Sequence, residues 1–173
     1  ETGTIGVISG SAMASADRFT ITIKGKSAHG ANPQDSVDPI VIAAECIEAL
    51  QTIRSRRIHP QEGFVLSIGS IHGGSRFNII ADEVVLVGTM RTLDEKTRAD
   101  ALRWMGEILG GVTSAHGATY EITTTESAAV TVNDPALLAA TLPELKRSFG
   151  ETGLVSIRPV MISEDFSFYQ REV

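Results

Sequence analysis

Between residues 17 and 24 the side chains alternate strictly: Phe19, Ile21 and Ile23 share one face, while Arg18, Thr20, Thr22 and Lys24 share the other. A period of two demands a half-buried strand, in a sheet with one face on a core and one toward solvent. The segments after residue 24 narrow the topology. Asp38 and Pro39 suit an N-cap and a first helical position, and Ile40, Ala43, Ile47, Leu50 and Ile53 then recur at helical spacing. The cationic run Arg54-Ser55-Arg56-Arg57 suits the negative end of that helix, and Pro60 stops it. Residues 64–71 and 83–91 are rich in β-formers. The connector between them holds Gly73, Gly74 and Asn78, which predicts an antiparallel hairpin with a long loop.

Thr92 and Glu95 have the spacing of a capping box. The helix beyond them carries the stripe Leu102, Met105, Leu109 and Val112, and Gly117 suits its left-handed C-terminal cap. A Thr- and Ile-rich strand is expected over 119–125. Strand, helix, strand, strand, helix, strand is the split βαβ order. The fold class expected is therefore α+β: a ferredoxin-like four-stranded antiparallel sheet with two helices on one face. Such a sheet leaves edge strands, and an open edge is a template for a second copy.

The flanks read differently. Residues 1–16 are rich in Gly, Ser and Ala and read as an entry segment. After residue 128, Asn133-Asp134-Pro135 caps a helix carrying Leu138, Leu142, Leu145 and Phe149, with Pro143 expected to kink or split it. The chain opens without a methionine and stops just after the aromatic-rich stretch Phe166-Ser167-Phe168-Tyr169, so it reads as a piece of a longer protein. The division expected is 1–16 as entry segment, 17–127 as sheet domain and 128–173 as an incomplete returning segment.

Among 173 residues the net charge is −6, which argues against a nucleic-acid binder. The apolar runs fall short of the ~20 residues that span a bilayer. One cysteine, Cys46, within a helical pattern leaves no disulfide framework and fits a reducing, cytoplasmic setting. No His, Cys, Asp and Glu grouping has metal-ligand spacing. His29, in the loop Gly25-Lys26-Ser27-Ala28-His29-Gly30, together with Asn78 and Arg91, offers a proton carrier, an amide and a fixed cation. They suit an oxyanion and a carboxylate. Arg76 is a weaker rival for the carboxylate, and His59, His72 and His116 read as surface or loop residues.

These stretches, with Met13-Ala14-Ser15-Ala16-Asp17, Val37-Asp38-Pro39-Ile40, Asn78-Ile79-Ile80, Gly88-Thr89-Met90-Arg91-Thr92 and Ser163-Glu164-Asp165-Phe166, resemble the aminoacylase, hippurate hydrolase and carboxypeptidase family of dinuclear zinc amidohydrolases. The resemblance implies a dimerisation, or lid, domain inserted in a zinc-hydrolase domain of α/β type whose bulk lies outside this chain. It implies two divalent ions in the whole protein (zinc, with manganese or cobalt as alternatives) and none held here. It implies a homodimer acting on N-acyl amino acids or small peptides, with no nucleic acid or membrane as partner.

Residue by residue, His29 matches a loop histidine that reaches the partner's active site and stabilises the oxyanion. Asn78 matches a substrate-holding asparagine, and Arg91 an arginine that binds the amino acid's carboxylate. Glu164 and Asp165 match a cleft-lining loop, without an assigned role. Relatives often have histidine where Gln34 stands and proline where Ala81 stands; the second departure is expected to loosen the Asn78 loop. The resemblance also implies that this segment alone is inactive. A non-catalytic ferredoxin-like dimer binding an amino-acid-like ligand is the alternative.

Overall fold

The computed structural model describes residues 2–172. In chain order its elements are β1 (Ile5–Val7), β2 (Gly10–Met13), β3 (Ala16–Lys24), β4 (Ala28–His29), α1 (Pro39–Thr52), β5 (Phe64–Gly73), β6 (Ile79–Ile80), β7 (Glu83–Thr92), α2 (Glu95–Ala115), β8 (Thr119–Ala128), β9 (Thr131–Asn133), α3 (Pro135–Phe149), β10 (Leu154–Ser156) and α4 (Phe166–Tyr169). Four strands form one antiparallel sheet in the order β5-β7-β3-β8. Helices α1 and α2 pack on one face of it, as the element order requires.

The alternation of β3 does what it predicts. Phe19, Ile21 and Ile23 are buried, and they meet Val84, Leu86 and Met90 of β7, Ile42 and Leu50 of α1, and Met105 and Leu109 of α2 in one core. Asp17 has the same parity and is also buried. A lone carboxylate there would be prohibitive. Arg98 of α2 resolves it with a bidentate grip, Nε and Nη2 donating to the two carboxylate oxygens at 2.8 and 2.6 Å. The register of β5 shifts between Ile68 and Ser70, a bulge that returns Ile71 to the parity of Leu66 and Ile68.

Several local expectations need correction. The buried face of α1 is Pro39, Ile42, Ala43, Cys46 and Leu50, while Ile40 is 46% exposed. This helix is apolar nearly all round, so its pattern does not select one stripe. Its last turn widens into a π-helix over Ile53–Arg57, where the Arg54 guanidinium donates to the carbonyls of His59 and Pro60.

Helix α2 is capped by Asp94, whose carboxylate accepts from Thr97 N at 2.6 Å. Thr92 is the last residue of β7, paired with Phe64, and its hydroxyl accepts from Asp94 N instead. Gly117 follows α2 with φ of 70°, as a left-handed cap requires. Helix α3 runs unbroken through Pro143. Pro143 and Ala139, the residue whose carbonyl loses its bond, are both exposed, so the freed group is not sealed in a core.

The flanking segments pair with one another rather than with the sheet. Strand β1 runs parallel to β10, and β2 antiparallel to β9. Ala14 and Ser15 are fully buried, so the entry segment contributes more packing than its composition suggests. No helix among the described residues is long and apolar enough to cross a membrane.

Candidate functional site

His29 is placed by a short chain of backbone constraints. β3 ends at Lys24, and a Cβ on Gly25 would stand 2.1 Å from the Val37 carbonyl oxygen, so only glycine lets the chain turn there. Lys26 and Val37 exchange hydrogen bonds at 2.8 and 3.0 Å and close the loop at its base. Within the loop β4 pairs with β6, setting Ala28 against Ile80 and His29 against Ile79. Gly30 N then donates to the Asn78 carbonyl at 2.8 Å, and Ser27 Oγ donates to the Ile80 carbonyl at 2.7 Å. The His29 and Asn78 loops are thereby one unit.

The imidazole of His29 is exposed, and its Nδ1 accepts from Ala31 N at 3.1 Å. An accepting Nδ1 assigns the proton of the neutral ring to Nε2, which leaves a donor pointing away from the loop. Asn78 is exposed beside it. A neutral N–H donor and an amide on a fixed backbone suit an oxygen that gains negative charge.

Arg91 lies elsewhere. It occupies the far end of β7, opposite Val65, half-buried. Its Nη1 donates to the Met161 carbonyl at 3.3 Å and to Ser163 Oγ at 3.4 Å. Among the described residues it makes no ion pair with a carboxylate, which leaves its fork able to take an anion. Glu164 and Asp165 follow Ser163 in the same loop and are exposed; Glu164 accepts from Asp165 N at 3.0 Å rather than engaging Arg91.

The three residues singled out in the sequence therefore do not form one cluster within the chain. Lys24 pairs with Glu83 at one end of β7, next to the Asn78 loop, and Arg91 is eight residues further along the strand. At ~3.3 Å per residue the two ends are about 25 Å apart. Two of the remaining histidines take structural places. His116 Nε2 meets Glu45 at 2.9 Å, a partner across the helix pair and not just a dipole contact, while His59 Nδ1 accepts from Gln61 N. The Cys46 thiol is fully buried in the core, and burial pushes its pKa up to about 11.

Among the described residues no three His, Cys, Asp or Glu side chains stand together as a metal site needs. The described residues do not fit the implied metal pair.

Two features were missed from sequence. Asp17 was legible in principle, because an acidic residue on the apolar parity of a strand calls for a buried partner. Phe77 was not: it stands fully exposed at the tip of the glycine loop, one residue before Asn78.

Known proteins share this fold. Residues 13–116 match the family model described as the peptidase dimerisation domain. The chain is similar to an N-acyl-L-amino acid amidohydrolase of Geobacillus stearothermophilus, 45% identical over 121 residues, covering 70% of this chain and 33% of that protein. It is similar to the hippurate hydrolase of Campylobacter jejuni, 36% identical over 161 residues, covering 92% of this chain and 42% of that one. Among solved structures it is similar to a Bacillus subtilis dinuclear metal-binding peptidase from the M20 family. There the identity is 30% and the TM-score 0.80, with 99% of this chain and 42% of that one covered. The chain thus spans well under half the length of these relatives.

Proposed function

The chain belongs to the M20 peptidase dimerisation-domain family, and from that premise we propose that it is the lid and dimerisation portion of a metal-dependent amidohydrolase. The whole protein hydrolyses the amide of N-acyl amino acids or small peptides, giving a carboxylate and a free amine. Residues 17–127 are the lid; residues 1–16 and 128–173 are segments of the catalytic domain. The divalent ions are held by residues outside this chain, as the family resemblance implies. A buried free thiol at Cys46 suits a cytoplasmic protein.

One observation carries the reading: His29 and Asn78 sit at one end of the sheet and Arg91 at the other, about 25 Å away. A single copy cannot grip one small substrate with all three. A second copy, paired antiparallel along an open edge, brings opposite ends together.

The edge that suits this is β5. Phe64–Gly73 carries no Asp, Glu, Lys or Arg over ten residues, whereas the other edge, β8, carries Glu121 and Glu126. Charges protect an edge from pairing, and β5 lacks them. Exposed Ile71 and Ile40 flank the same side. Pairing centred on Ile68 and Gly69 sets Val65 beside the partner's end of β5 near His72. Arg91 then lies about three strand spacings, ~14 Å, from the other copy's Asn78 loop. An N-acyl amino acid with two reaching side chains spans that gap. Arg91 binds the free carboxylate, Asn78 holds the amide, and the Nε2–H of His29 stabilises the oxyanion formed at the scissile carbonyl.

The test is release of free amino acid from N-acetyl and N-benzoyl amino acids by the full-length protein, with zinc, manganese or cobalt added. Metal-dependent release, reduced ~10²–10³-fold by His29→Ala while the dimer persists, is expected. No release from any substrate moves the reading to the non-catalytic dimer that binds an amino-acid-like ligand. A fully active His29→Ala variant removes the histidine from the chemistry.

A further inference from the structure

We propose that Phe77 is a specificity-determining residue that walls the site for the apolar acyl group of the substrate, an inference that rests on the proposed function. Phe77 is the only large apolar side chain among the described residues with its whole surface exposed, at 103% of the reference value. Solvent is a poor resting place for a phenyl ring, which buries ~150 Å² or more when covered. The backbone beneath it is fixed. Ile79 N donates to the Arg76 carbonyl at 3.4 Å, and the Asn78 carbonyl accepts from Gly30 N at 2.8 Å. The ring is thus presented from a held loop, next to the asparagine and across the β4–β6 pairing from His29.

Beside it lies an open concavity of about 490 Å³, lined by Gly30, Ile40, Gly74, Arg76, Phe77 and Ile79 among others. Ile40 and Ile79 add exposed apolar surface there, at 46% and 36%. The volume falls within the ~300–1,000 Å³ of small-molecule sites, and Asp38, Ser75 and Arg76 make about half of its lining polar, so Phe77, Ile40 and Ile79 supply its apolar wall.

The polarity of the substrate decides what enters it. In an N-acyl amino acid the carboxylate, the amide and the acyl group succeed one another along the molecule. Arg91 of one copy fixes the carboxylate, and His29 of the other fixes the carbonyl oxygen. The acyl group therefore continues past the carbonyl, away from Arg91, toward the end of the lid that carries Phe77. Burial of an aromatic or long aliphatic acyl group against Phe77, Ile40 and Ile79 favours such substrates over acetyl ones, because more apolar surface leaves water.

The experiment is carried out on the full-length, metal-loaded protein and its Phe77→Ala and Phe77→Leu variants. It measures kcat/KM for N-benzoyl and N-acetyl forms of one amino acid, and the oligomeric state by sedimentation. The expected result is a benzoyl-to-acetyl ratio of kcat/KM lowered about 10- to 100-fold by Phe77→Ala and less by Phe77→Leu, with the dimer intact. An unchanged ratio overturns the proposal. So does dissociation of the dimer, which would assign Phe77 to the contact between copies. His29→Ala, run beside them, lowers both substrates together. Loss of that effect, or a wild type inactive on both substrates, instead marks failure of the underlying reading.

Discussion

The sheet unit, residues 16–128, and the segment after it satisfy their apolar surface differently. In the sheet unit Phe19, Ile21, Leu86, Met105 and Leu109 close on one another from separate strands and helices, and all are buried. In residues 129–172 the helix α3 buries none of its residues, and Leu137, Ile162 and Tyr169 stand 66%, 61% and 70% exposed. One region carries its own core. The other presents apolar faces in a concentration that marks an interaction surface. Under the proposed function those faces belong against the rest of the catalytic domain, while the lid folds on its own account.

The contrast breaks first at Asp17. Its carboxylate is fully buried and paired with Arg98, so Asp17→Ala removes the bidentate partner of a largely buried guanidinium and leaves it only the longer contacts to Glu95 and Glu126, at 3.4 and 3.5 Å. The expected loss is about 3–5 kcal/mol of sheet-unit stability, read by urea unfolding. A loss below about 1 kcal/mol would mean that the pair is worth no more than a surface one. Next come matched truncations. Met105→Ala is expected to cost about 2–5 kcal/mol. Leu137→Ala, on the exposed face of α3, is expected to stay within about 0.5 kcal/mol. Equal effects would erase the contrast.

A smaller effect sharpens the boundary between the two regions. Arg171 donates to both Glu126 oxygens, at 3.0 and 2.8 Å, and so ties the trailing segment to β8. This hydrogen bond holds the Glu126 carboxyl below its usual range. A carboxylate with a lowered folded pKa stabilises above its unfolded value, ~4.3, and that contribution is lost as pH falls through the folded one. The pair is partly exposed, so the effect is below ~1 kcal/mol. Acidification below pH ~4, or Arg171→Ala at neutral pH, should therefore lower the protection of residues 165–172 against hydrogen exchange, relative to the intrinsic rate at the same pH, and leave the protection of β3 and β7 unchanged. Lower protection in β3 would show that the trailing segment supports the sheet. The smallest change is chemical. Cys46, with its thiol pKa pushed up to about 11, should react with iodoacetamide at neutral pH at the rate of global opening of the sheet unit. Fast labelling would contradict a closed core.

Much of the sheet unit was legible because its signals are local and redundant. The alternation of β3, the Asp38-Pro39 start of α1 and Gly117 after α2 each fix a boundary by a mechanism that needs no tertiary partner. Legibility failed where tertiary context decides. The sequence of α1 offers several apolar stripes, and packing on β7 and β3 chose the one through Ile42 and Cys46. Thr92 had the spacing of a cap, and its place in β7, paired with Phe64, leaves that role to Asp94. Pro143 keeps its helix because the freed carbonyl is not sealed in a core.

The site divides in the same way. His29, Asn78 and Arg91 were visible as residue types at the ends of elements. A two-residue ladder joins the first two, too short to leave a periodic trace. The exposure of Phe77 has no sequence signature.

The central claim is that each working site draws His29 from one copy and Arg91 from the other. Mixed dimers test it most directly. Full-length His29→Ala and Arg91→Ala proteins, each inactive alone, are combined and the mixed species isolated with two affinity tags. The account predicts that the mixed dimer recovers about half the wild-type turnover on an N-acyl amino acid, because one of its two sites has both residues intact. A mixed dimer as inactive as its parents would place His29 and Arg91 in the same copy's site and contradict the account.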